Sequence, residues 1–117
     1  EARERWGGTE AFAESTRRTS NYTKADWEAI DAEVSAIYEE FMSLKRQGID
    51  PAAPEAAEVV AKHRDHISRW FYDCSPVIHA GLGQMYVADE RFAENIDRAG
   101  EGLARYMADA IEAAYSE

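Results

Sequence analysis

Residues 23–48 read TKADWEAIDAEVSAIYEEFMSLKRQG, and this stretch decides the fold class. Trp27, Ile30, Val34, Ile37, Tyr38, Phe41 and Leu44 recur at three- and four-residue steps over five turns, the signature of an amphipathic helix. Both ends carry stop signals. Thr23 with Asp26 three positions on makes a capping-box start, in which side chain and backbone satisfy each other's unpaired groups. Lys45 and Arg46 lie in the last turn, where cations complement the helix dipole, and Gly48 follows as a stop.

Outward from this helix the pattern repeats. Upstream, Thr9 is expected to cap a short helix running to about Thr19. Downstream, Pro54 fits the first turn of a third helix, whose stripe is Ala56, Val60, His63, Ile67, Trp70, Phe71 and Cys74. Ser75-Pro76 reads as cap and first-turn proline of a fourth helix, with Ile78, Leu82, Met85 and Tyr86 facing inward. Asp89 can cap a short fifth helix bearing Phe92 and Ile96. After Gly100 and Gly102, a last helix carries Leu103, Tyr106, Met107, Ala110 and Ile111. No run alternates as a strand. The expected fold is an all-α single domain of five or six helices, with a cleft walled by the Thr23–Gln47 and His63–Tyr86 segments.

Composition narrows the function. The 13 Lys+Arg against 23 Asp+Glu give a net charge of −10 over 117 residues, so the domain by itself is a poor partner for DNA phosphates. No apolar run approaches the roughly 20 residues of a membrane span. A single cysteine excludes an internal disulfide and fits a reducing compartment, so a cytoplasmic location is expected. The chain begins at Glu1 without a Met, which reads as a piece of something longer.

Candidate chemistry centres on His63 to Tyr86. Three consecutive helical residues spread over about 200° of azimuth, so Trp70, Phe71 and Tyr72 cannot all enter one core. Tyr72 points away from the stripe, and two readings stay open: it covers another helix, or part of this aromatic girdle lines a cleft. His63 lies inside the stripe, where a hydrogen bond across the bundle or to a pocket occupant would satisfy it. His66 is expected at the stripe's edge, half exposed.

A metal site built from His63, His66, Cys74 and His79 is disfavoured, because His63 and Cys74 would lie about 16 Å apart along one straight helix. Nor is there a second sign of a haem pocket, so no cofactor is expected. Cys74 with His79 lacks an orienting acid or oxyanion loop, and a buried structural thiol is the simpler reading. An enzyme is not expected. Gly81 and Gly83 each cost roughly 1 kcal/mol inside a helix relative to Ala. Gly83 is placed outward, and Gly81 on the flank of the buried face, where a missing side chain permits close approach.

The ordered strings RERWG (3–7), YTKADW (22–27), YDCS (72–75), GLGQMYVADERF (81–92) and NID (95–97) together resemble the TipAS family. That family is the drug-recognition domain of MerR-type transcription activators that bind thiopeptide antibiotics such as thiostrepton. The resemblance covers nearly the whole chain and implies a globin-like topology. It also implies a thiopeptide-like macrocycle as ligand, and contact with DNA only through a missing N-terminal helix-turn-helix domain. An isolated domain would be a monomer and the full-length form a homodimer. Residues 1–22 would be a mobile lid over a ligand-recognition domain at 23–117.

The candidate ligand-binding residues are then Trp6, Trp27, Tyr38, His63, His66 and Trp70, continuing through Phe71, Cys74, Gly81, Met85 and Tyr86. In the family pattern a second cysteine stands seven residues after the first and adds to a dehydroalanine of thiostrepton. Here Cys74 fills the first place and Gly81 stands at the second, so the resemblance implies non-covalent recognition only. The alternative reading is a structural or dimer-associated effector domain without a small-molecule ligand.

Overall fold

The computed structural model describes the chain from Gly8 to Tyr115, with side chains from Ala13 onward. The described residues form six helices and no strand: α1 (Gly8–Thr19), α2 (Lys24–Arg46), α3 (Pro54–Trp70), α4 (Pro76–Ala88), α5 (Glu90–Asp97) and α6 (Leu103–Tyr115).

The local signals work as their chemistry requires. The Asp26 amide donates to the Thr23 hydroxyl at 3.2 Å, and the Thr23 amide donates to the Asp26 carboxylate at 2.9 Å. At the other end of α2, Gly48 takes φ +75°. The Ile49 and Gly48 amides then donate back to the Leu44 and Lys45 carbonyls, both at 3.0 Å, closing the helix with nested bonds that only a left-handed residue permits. Ser75 accepts from the Ile78 amide with Pro76 behind it, and Asp89 accepts from the Arg91 amide. Thr9 lies inside α1, which already includes Gly8, and so is not its cap.

α6 sits at the centre and packs against α2, α3, α4 and α5. Its buried stripe of Leu103, Met107 and Ile111 meets Phe41 of α2 and Val60 of α3, all essentially without exposure. Ala104, Ala108 and Ala110 keep that helix slim enough for close approach. The Asp97 carboxylate accepts from the Ala104 amide at 2.9 Å, satisfying an otherwise orphaned donor at the start of α6. The Tyr106 hydroxyl donates to the Ile49 carbonyl at 2.8 Å, tying α6 to the loop after α2.

Two expected faces are corrected. Gly83 points inward, not outward: a Cβ there would meet Ile111 Cγ2 at 3.0 Å and its Cβ at 3.2 Å. The buried residues of α4 are therefore His79, Gly83 and Tyr86, while Ile78 and Met85 are only partly covered. The cause is the contact with α6, which is close enough to demand a glycine and so sets the helix's rotation. The third helix also stops earlier than its stripe suggests. It ends at Trp70, and Tyr72–Cys74 form a turn in which the Phe71 and Tyr72 amides both donate to the Ile67 carbonyl. Cys74 thus reaches the interior from a loop, and the straight-helix spacing from His63 does not apply.

Candidate functional site

The candidate residues fall into three groups of side chains. The first joins the start of α2 to the end of α3. Tyr22 stands edge-on to both Trp27 and Trp70, with ring centroids 5.6 Å away in each case, and Trp27 lies 6.4 Å from Phe71. His66 packs edge-on against Phe71 at 6.1 Å. Trp27 keeps 40 % of its surface exposed, a large apolar ring offered to solvent. Beneath this cluster Glu33 accepts three bonds, from His66 Nδ1, Arg69 Nη1 and Trp70 Nε1. The bond from His66, chiefly, holds the Glu33 carboxyl below the ordinary carboxylate range, against some desolvation.

His66 is therefore not half exposed as its position in the stripe suggests: only 3 % of it is accessible. Glu33 explains why. The signal lay in α2, where Glu33 falls at i+3 from Ile30 and i−4 from Ile37, a carboxylate inside an apolar stripe.

The second group is a buried polar chain. His63 and His79 share a hydrogen bond between Nδ1 and Nε2 at 2.8 Å, and His79 Nδ1 pairs with the Tyr115 hydroxyl at 2.7 Å. Each neutral imidazole has one donor and one acceptor nitrogen, so the orientation of the His79–Tyr115 bond sets the tautomer of both rings. Burial, with smaller contributions from His79 and His66, pushes His63 down to about 3; burial and then Arg64 push His79 down to about 4. Both nitrogens of His79 are thus engaged, which removes it as a base for Cys74. The Cys74 thiol itself is buried, and that burial pushes its pKa up to about 11. Among the described residues no three His, Cys, Asp or Glu side chains are grouped to hold a metal ion.

Tyr86 stands 6.2 Å from His63 on one side and 6.2 Å from Phe92 on the other. Burial holds its hydroxyl far above the normal phenol range, with Tyr38, Tyr72 and Cys74 as further electrostatic neighbours. Tyr72 itself is half-buried, in the turn that follows the end of α3 at Trp70.

The third group is an open groove of about 590 Å³ along α4, lined by Val77, Ile78, Ala80, Gly81, Gln84, Met85 and Ala88. Val77 is 76 % exposed. Nothing lies within 4 Å of where a Gly81 side chain would begin, so this glycine deepens the groove floor rather than admitting a neighbouring helix. The described lining of this groove comes from α4 alone.

The candidate residues thus divide. Trp27, His66, Trp70 and Phe71 come together in the first group. His63, Tyr86, Cys74 and the half-buried Tyr38 surround the second, and Gly81 and Met85 line the groove. Trp6 lies outside the described residues. Glu33, Tyr22 and Val77 join the site without having been singled out from the sequence.

Comparison with known proteins gives consistent matches. A family model described as the TipAS antibiotic-recognition domain matches residues 1–114. The HTH-type transcriptional activator TipA of Streptomyces coelicolor is 48 % identical over 112 residues, 95 % of this chain and 44 % of that protein. The HTH-type transcriptional activator mta of Bacillus subtilis is 42 % identical over 104 residues, covering 89 % and 40 % respectively. The chain therefore spans less than half the length of these curated relatives.

Among solved structures, TipAS of Streptomyces lividans in complex with nosiheptide superposes with a TM-score of 0.88 at 44 % identity, over 97 % of this chain and 80 % of that one. The antibiotic-binding domain of a TipA-class multidrug resistance regulator matches with a TM-score of 0.70 at 42 % identity, over 76 % and 95 %.

Proposed function

Because the chain belongs to the TipAS antibiotic-recognition family, we propose that it binds a thiopeptide macrocycle non-covalently along the α4 groove, beside the Trp27–Trp70–Phe71 cluster. The groove is the observation that carries this reading. It presents Val77, Ile78, Gly81, Met85 and Ala88 to solvent with Gln84 as its polar contribution. Apolar surface left open in this way gains about 25 cal/mol for each Å² that a ligand covers, before ordering costs are subtracted. A large, weakly polar ring with a few amide and azole acceptors suits such a surface better than a small charged metabolite does.

In this reading Trp6, Trp27, Tyr38, His63, His66, Trp70, Phe71, Cys74, Gly81, Met85 and Tyr86 contact the ligand or support the residues that do, and residues 1–22 act as a lid. Contact with DNA belongs to a separate helix-turn-helix domain, as the names of the relatives suggest. The ligand would shift a homodimeric, cytoplasmic regulator between two states by binding one of them more tightly. The domain by itself would sequester drug as a monomer. No described helix is long and apolar enough to cross a membrane.

The test is a tryptophan-fluorescence titration with nosiheptide. Met85→Asp puts a carboxylate on the groove floor, where a bound macrocycle would desolvate it. The dissociation constant should rise at least about tenfold, or about 1.4 kcal/mol. A Glu55→Gln control, at an exposed position in the first turn of α3, should leave it unchanged. Unaltered affinity in Met85→Asp would place the ligand elsewhere.

A further inference from the structure

We propose that Arg18 is a positioning residue for ligand recognition, locking the N-terminal helix to the turn that launches α4; this rests on the ligand and lid reading above. The guanidinium sits at a junction of three segments. Its Nη1 donates to the Ser68 carbonyl at 2.7 Å, its Nη2 to Asp73 Oδ1 at 3.2 Å, and its Nε to Glu14 Oε2 at 2.7 Å. Ser68 faces both ways. While its carbonyl takes Arg18, its hydroxyl accepts from the Cys74 amide at 3.0 Å and so holds the turn before Ser75 and Pro76. A short chain of bonds thus runs from α1, through the last turn of α3, to the start of the helix that forms the groove.

The contact has a physical reason to form there. The last carbonyls of a helix lack intrahelical donors and carry the negative end of its dipole. At the end of α3 two of them are satisfied by the N-terminal segment: Ser68 by Arg18, and Trp70 by the Tyr22 hydroxyl. An Arg there serves as a cap from another helix, and its fork geometry lets it reach the carbonyl and the turn at once. The Asp73 contact contributes little, because that side chain is 97 % exposed. The Ser68 carbonyl is the grip. Through these two bonds residues 18–22 are docked on the end of α3.

Two measurements test this. First, amide exchange is followed without ligand in wild type and Arg18→Gln. Losing one charge-assisted bond is worth about 1.4 kcal/mol, so exchange in residues 14–22 and in the Ser68–Ser75 turn should quicken together by about tenfold. Leu103–Tyr115 of α6 should be unchanged. Second, nosiheptide binding should weaken about tenfold in Arg18→Gln, mainly through slower association, because fewer molecules hold the lid in register. Arg18→Lys, which keeps the charge but not the fork, should fall between, and Asp73→Asn should bind like wild type.

Exchange that is unchanged in Arg18→Gln, or that quickens equally through α6, would overturn the proposal. So would a looser N-terminal segment with unaltered nosiheptide affinity. Failure of the wild type to bind nosiheptide would overturn the ligand reading and the positioning role with it; the exchange comparison would still decide whether Arg18 joins the two segments.

Discussion

Incubated with thiostrepton and then denatured, the protein should show the mass of its bare chain, whereas Gly81→Cys should gain the mass of one antibiotic. The contrast follows from where the two positions stand. Cys74 is buried, its thiol rests against the Ser75 carbonyl at 3.8 Å, and a pKa near 11 leaves about one molecule in ten thousand as thiolate at neutral pH. Position 81 is the opposite. It lies on the groove floor with open space where a side chain would begin.

A cysteine there should keep a pKa near the free value of about 8.5, so a few per cent would be thiolate at pH 7. Its sulfur would add to the β-carbon of a dehydroalanine while the α-carbon takes a proton, a closed addition that needs no oxidant. The helix would also lose a glycine, a gain of up to roughly 1 kcal/mol. Intact-mass spectrometry reads the outcome directly. An adduct on wild type that disappears in Cys74→Ala would show that the Cys74 thiol opens to the ligand. No adduct on Gly81→Cys would mean that the antibiotic's reactive group passes elsewhere.

A second large effect is expected from acid. His63 and His79 are neutral in the folded protein, with pKa values of about 3 and about 4 against 6.5 for a free imidazole. The unfolded chain therefore takes up protons that the folded one refuses. Their full stabilisation is present above pH 6.5 and is lost as pH falls, through both rings down to about 4 and through His63 alone below that. Each proton contributes a slope of up to ~1.4 kcal/mol per pH unit.

The carboxylates held low by their partners, Glu14, Glu33 and Asp89, titrate beneath this range, so the interval from pH 6.5 to 5 isolates the histidines. Urea midpoints should drop steeply across that interval. His79→Gln, which cannot take the proton, should show about half the slope. A wild-type midpoint that stays flat from pH 7.5 to 5 would mean that the pair accepts a proton in place.

What was legible in the sequence was local. Thr23 with Asp26, Gly48, Ser75-Pro76 and Asp89 mark helix ends through bonds within a few residues, and these hold in the folded chain. The stripe of α6 was equally readable, because Leu103, Met107 and Ile111 recur at one helical turn. What escaped depends on partners far along the chain. His66 is buried because Glu33, 33 residues earlier, receives it. The end of α3 is set partly by Arg18 and Tyr22, about 50 residues upstream, which satisfy its terminal carbonyls. Gly83 faces Ile111 because α4 and α6 approach more closely than either sequence segment announces. The groove was half visible: Gly81 and Met85 were marked, but Ile78 was assigned inward and Val77 went unnoticed, since periodicity cannot tell a buried face from an apolar face left open.

The central claim is that an apolar macrocycle occupies the face of α4 beside the Trp27–Trp70 cluster. A proton–nitrogen correlation spectrum of the labelled protein, titrated with nosiheptide, tests it most directly. Saturable shifts should concentrate in the amides of Val77–Ala88 and in the indole N–H signals of Trp27 and Trp70, with the Ile49–Ala53 loop unmoved. A spectrum unchanged at saturating nosiheptide, or one whose shifts fall on that loop and leave α4 untouched, would contradict it.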